Sequence, residues 1–275
     1  MTLKNRNRIF FIASLLMSLL ALSYAALIVY AALRGAIIPP DKPVRFIPFE
    51  SDFFLLRYEF WACIAAVFVQ ILYVPFIALI VSRGFANTQS LELIYFGGFL
   101  LACMAEGVRL FMPLFGLWQS YSMMLIITGR TVITGRILSF LSLLFAALFN
   151  ETDQRQNVER NFMVMLIIAL LAGILMPLDT TQTTSACTVL WGYRPLFFTM
   201  RVCLFVLTEL TFIIAIVWKG NREHIKTAIA YPLLMAGYTL LCYADNYLFT
   251  GLGSILLTIG TGMYLTTLHK IYMWR

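Results

Sequence analysis

Glu106, Arg109, Arg130, Arg201 and Asp245 interrupt stretches of the chain that are otherwise apolar, and they are the residues through which it could do chemistry. Three guanidinium groups stand against two carboxylates in this set, an excess of positive charge. Such a group suits the capture of an anion or a lipid headgroup by charge-assisted hydrogen bonds. Glu106 and Arg109 lie in Met104-Ala105-Glu106-Gly107-Val108-Arg109-Leu110, close to one helical turn apart, so they share a helix face. Arg130 and Arg136 each end a copy of Ile-Thr-Gly-Arg within residues 127–136. The helix between them turns through about 600° and rises about 9 Å, so their side chains point about 120° apart. They cannot share a face. Arg130, nearer the start of its helix, is assigned to the site beside Glu106 and Arg109, and Arg136 is expected to pair with Glu209 at greater depth. The plainer arrangement closes Glu106 on Arg130 and Asp245 on Arg201 as ion pairs that fix helix register.

The elements that must hold these residues follow from composition. The chain is 61% hydrophobic and 12% charged, against about 45–50% apolar and about 25% charged usage in soluble domains. It reads as an all-α, polytopic transmembrane helix bundle forming a single integral membrane domain over residues 1–275. A helix needs about 20 apolar residues to cross a bilayer. About eight such units are expected, at residues 9–33, 60–81, 93–115, 119–149, 162–178, 196–218, 227–249 and 251–272. The last two form a tight hairpin whose turn is placed at Thr250 and Gly251. The first unit runs well past the core of a signal peptide and is expected to be retained as a helix. Pro39, Pro40 and Pro43 make the following loop extended, and its second half, residues 46–54, is read as a loop at the membrane interface or a lid.

With the N-terminus in the cytoplasm, the inner segments collect Lys4, Arg6, Arg8, Arg83, Arg155, Arg160, Lys219, Arg222, Lys226, Lys270 and Arg275. The outer segments hold only Arg34, Lys42, Arg45, Arg57 and Arg194. That asymmetry places both termini in the cytoplasm and the chain in the cell membrane. The five cysteines show no Cys-x-x-Cys spacing, and Cys187 alone falls in an outer loop, where it is read as a free or packed thiol. His224 and His269 belong to no ligand motif, so no metal and no cofactor is expected. The lysines all lie in loops or at span ends, which excludes a retinal Schiff base. The net charge of +7 is explained by topology, and nucleic acid is set aside as a partner. Trp61, Trp118, Trp191, Trp218 and Trp274 fall at span ends and are read as interface anchors.

The carboxylates Glu106 and Asp245 fall on the third and seventh units, with Tyr264 on the last. This arrangement resembles the eight-helix lysoplasmalogenase-like membrane hydrolases, although Ala105-Glu106-Gly107 replaces the family's aspartate after glycine. The resemblance implies an acid/base pair acting on water and a lipid vinyl ether or ester. The leading expectation assigns no catalytic residue. It is a binding protein, a sensor or a transport component, whose outward cavity takes an anionic small molecule or lipid headgroup. Its partners would be the lipid bilayer, that ligand, and another membrane or signalling protein. The hydrolase is the alternative, and a structural membrane subunit with all charges internally paired is the third reading.

Overall fold

The computed structural model describes residues 3–37, 39–40, 43–45, 54–85, 90–118, 123–148, 157–219 and 222–273. The suggested lid at residues 46–54 falls almost wholly outside the described residues, as do Lys42, Arg155, Trp274 and Arg275. The helices are α1 (Leu3–Leu33), α2 (Phe60–Gly84), α3 (Glu92–Ala105), α4 (Phe111–Phe115), α5 (Met123–Leu148), α6 (Val158–Leu175), α7 (Arg194–Lys219), α8 (Arg222–Tyr243) and α9 (Tyr247–Met273). A 3-10 turn, Glu106–Leu110, joins α3 to α4 into one rod. Counting that rod once, eight helices among the described residues are long and apolar enough to cross a membrane.

The core lies between α2, α3, α5, α8 and α9. Small residues set its closest approaches. A Cβ on Gly135 would lie 2.8 Å from Ala105 Cβ and 3.3 Å from the Ala102 carbonyl, so α3 and α5 meet there almost backbone to backbone. In α5 the other glycine of the repeat, Gly129, faces Leu178 and Val189 instead. The two copies of Thr-Gly-Arg therefore admit different neighbours.

Two features depart from the expected layout. First, α6, the fifth of the expected spans, ends at Leu175, before Pro177, and the chain then forms an antiparallel hairpin of β1 (Leu178–Thr183) and β2 (Val189–Trp191). Its run of threonines has the β-branched character that favours strands over helix. The tip, Thr184 to Thr188, is buried in the mouth of the bundle, with Ser185 N–H donating to the Val44 carbonyl at 3.0 Å. Cys187, at φ 52°, makes the turn.

Second, the break between the last two spans falls at Ala244 to Asn246, and Thr250 and Gly251 lie inside α9. Asn246 sets that boundary. Its Oδ1 accepts the Phe249 amide at 2.8 Å, a helix N-cap that outweighs the turn preference of a glycine five residues on. Asp245 thereby sits in the turn and not within a span.

Candidate functional site

Glu106 is the centre of a closed ionic cluster. Arg109 Nη1 donates to its Oε2 at 3.1 Å, and Arg136 donates to both oxygens, Nε to Oε1 at 2.8 Å and Nη2 to Oε2 at 3.2 Å. Tyr238 OH adds a longer bond to Oε1 at 3.5 Å. All three charged side chains are fully buried. The cluster forms because α8 ends beside it. Arg136 Nη2 reaches the Cys242 carbonyl at 2.8 Å and Arg109 Nη1 the Leu241 carbonyl at 3.4 Å, acceptors in the last turn of a helix, where carbonyls lack their i+4 partners. Arg109 Nε also takes the Ala186 carbonyl at the hairpin tip, at 2.8 Å. One carboxylate and two guanidinium groups thus tie α3, α5, α8 and the hairpin together.

Arg136, not Arg130, therefore belongs to this cluster. Arg130 is exposed, because the inward face of α5 runs through Val132, Ile133, Gly135, Arg136 and Ser139. The two arginines diverge as periodicity requires, but their places are exchanged: depth along the helix favours Arg130, whereas the close approach at Gly135 turns Arg136 inward. The expected Arg136–Glu209 pair is accordingly absent. Glu209 is half-buried, and its Oε1 has no hydrogen-bond partner among the described residues.

Asp245 and Arg201 do not pair either. Asp245 Oδ2 accepts from Arg45 Nε at 3.2 Å, a bond between the turn before α9 and the loop after α1. Arg201 donates to the Tyr243 hydroxyl and lies over the rings of Tyr243, Phe197 and Phe140 at 5.0, 5.4 and 5.6 Å. On its other side Tyr243 is covered by Arg136, whose guanidinium is 4.7 Å from the ring centre and 4.9 Å from that of Trp191. Trp191 is buried, stacked on Phe197 at 5.1 Å, and so is no bilayer anchor.

These side chains wall a cavity of about 420 Å³, lined by Trp191, Arg194, Phe197, Phe198, Arg201 and Tyr243 together with Thr239, Leu240 and Phe249. Arg194 and Arg201 are two turns apart on α7 and so face the same way. Its lining contains no carboxylate. The buried Nε of Arg201 has no partner among the described residues. Of the five residues assigned from sequence, Arg201 alone lines this cavity; Glu106 and Arg109 lie behind its wall in the closed cluster. Arg194, Trp191 and Tyr243 were missed. Two arginines at i and i+7 at the start of an apolar helix were the signal that could have found Arg194.

Cys187, placed by sequence in an outer loop, is buried against Cys63 and Arg109. The hydrogen bond with the Cys63 thiol, and then burial, hold the Cys187 thiol well above its ordinary range. It stays protonated and unreactive there. Among the described residues no group of three His, Cys, Asp or Glu side chains is placed to hold a metal ion. No protein-family model matches the chain, and no curated protein matches it.

Proposed function

We propose that the chain is a multi-pass protein of the cell membrane that binds an anionic small molecule or lipid headgroup in the cavity at Arg194 and Arg201, as a sensor or a transport component. One observation carries the reading. A buried guanidinium nitrogen, Arg201 Nε, has no acceptor among the described residues, and its side chain lines a cavity that contains a second arginine and no carboxylate. A buried donor left bare is costly, and an anionic oxygen would satisfy it with a charge-assisted bond. Five aromatic rings, from Trp191, Phe197, Phe198, Tyr243 and Phe249, would cover the apolar part of an amphiphile entering from the bilayer.

The hydrolase reading is less well supported. Both oxygens of Glu106 are occupied by arginine donors, which leaves little basicity to take a proton from water. Asp245 is held by Arg45 and Asn246. The closed cluster suits a structural role, as the third reading has it, but it does not account for the cavity beside it.

Orientation follows from the charges at the two ends. Arg83 and Lys270 lie in the last turns of α2 and α9, at the end away from the hairpin. With the lysine- and arginine-rich end inside, the hairpin and cavity face outward and both termini are cytoplasmic. Reporter fusions at each terminus are expected to be active only on the cytoplasmic side; a C-terminal reporter active outside would overturn this topology.

Binding is tested on the purified protein in lipid nanodiscs, titrated with phosphatidic acid, phosphatidylcholine and inorganic phosphate. Phosphatidic acid bound in preference to phosphatidylcholine marks a headgroup site, and saturable inorganic phosphate alone marks a small-anion site. Arg201→Gln is expected to weaken the favoured ligand about tenfold or more, since a hydrogen bond to a charged group contributes about 1.5–3 kcal/mol. Equal binding of phosphatidylcholine by wild type, or unchanged affinity in Arg201→Gln, would refute the site.

A further inference from the structure

Buried polar atoms without partners gather on one helix seam. Among the described residues, Glu209 Oε1 on α7 and Thr227 Oγ1 on α8 are buried with no hydrogen-bond partner, and the Tyr231 hydroxyl of α8 is buried beside Thr208 and Glu209 of α7. Glu209 and Tyr231 also share a depth. Counting from Lys219, the end of α7, and from Arg222, the start of α8, Glu209 and Tyr231 both lie about 14–15 Å from that end of the bundle. That is close to the middle of an apolar slab about 30 Å thick. Phe205 and Phe212, four before and three after Glu209, bracket the Tyr231 ring at 6.4 and 5.6 Å, so α8 offers its tyrosine to the face of α7 that carries the carboxyl.

Among the described side chains, no cation serves this carboxyl. Lys226, the described basic residue of α8 nearest to it, lies more than a turn away from Tyr231 and has a partner of its own. On α5, which also packs on α7, Arg136 is committed to Glu106 and Arg130 is exposed near the opposite end. Arg201 lies about 12 Å along α7 toward the hairpin. A carboxylate with a bare oxygen and no counter-ion is poorly tolerated in the membrane interior, whereas the neutral acid can donate to a neighbouring hydroxyl.

We propose that Glu209 is an intramembrane proton-exchange site, taking up a proton from water that enters the seam and releasing it by the same route, with the Tyr231 and Thr227 hydroxyls as its hydrogen-bond relay. It lies on the face of α7 that carries Arg201, beneath the cavity. The assignment depends on the membrane reading and not on the identity of the cavity's ligand.

A hydrophobic carbodiimide, which modifies protonated carboxyls in apolar surroundings, tests it on the full chain in lipid vesicles, with the modified residue located by peptide mass mapping. Glu209 is expected to carry the adduct, with labelling that falls about tenfold per pH unit once the proton is lost. Glu209→Gln, which keeps the shape of the neutral acid, is expected to fold and to lose the adduct. Absence of the adduct in membrane-inserted wild type, labelling independent of pH, or suppression by sodium ions at fixed pH would overturn the proposal, the last by assigning the oxygens to an alkali cation. Failure of the membrane reading would show separately, as release of the chain by an alkaline carbonate wash.

Discussion

Glu106→Ala is expected to remove most of the folded protein. Two guanidinium groups would be left fully buried without a counter-ion, Arg109 keeping the Ala186 and Leu241 carbonyls and Arg136 the Cys242 carbonyl. Removing one partner of a buried ion pair costs about 3–5 kcal/mol, and a whole domain is stable by only about 5–15 kcal/mol. Glu106→Gln keeps one acceptor oxygen and should recover part of the loss. The sharper comparison lies within the repeated motif. Arg136→Gln is expected to lower folded yield severely, because it strips Glu106 of two bonds and leaves the Cys242 carbonyl without its donor. Arg130→Gln, on the exposed face, should change stability by no more than about 0.5 kcal/mol. Yield and thermal midpoint in detergent, followed by size-exclusion chromatography, decide it. Equal losses from the two arginine changes would show that the cluster is misassigned.

Helix positions were legible because apolar run length is a property of the sequence alone. All eight expected spans have a counterpart among the eight long apolar helices. What sequence could not supply was the azimuth of each helix. Arg130 and Arg136 differ by a rotation that periodicity gives, but which of them faces inward depends on where α3 approaches, and that is decided by Gly135 meeting Ala102 and Ala105. The partners of Glu106 were hidden for a second reason. Three of the acceptors that the arginines bind are backbone: the carbonyls of Leu241 and Cys242 at the end of α8, and of Ala186 in the hairpin. Side-chain charge counting sees none of these. The cavity shows the same limit, since Trp191 and Tyr243 read as an interface anchor and an ordinary span residue until the hairpin folds back over α7 and α8.

The last expected result concerns what brings the end of α8 to the cluster. Gly237 and Gly260 let α8 and α9 touch along their backbones. A Cβ on Gly237 would lie 2.3 Å from Leu257 N and 2.7 Å from Leu257 Cα, and one on Gly260 would lie 2.5 Å from Leu234 N. No rotamer change relieves a clash with main chain, so the helices must separate. Overpacking of this kind costs about 1–3 kcal/mol even where side chains can give, and Gly237→Ala should fall at or above the top of that range. Because Leu241 and Cys242 lie one turn beyond Gly237, the shift would also carry their carbonyls away from Arg109 and Arg136. Gly237→Ala should therefore lower the thermal midpoint and weaken ligand binding at Arg201 together, through Tyr243. Gly251→Ala is the control on α9. Nothing lies within 4 Å of its would-be Cβ, and alanine is favoured over glycine in a helix by about 1 kcal/mol, so its midpoint should rise or stay level. Two glycines in one helix pair are thus expected to respond with opposite sign. If Gly237→Ala leaves the midpoint where Gly251→Ala does, α8 and α9 are not packed backbone to backbone, and the route by which α8 delivers its carbonyls to the arginines fails with them.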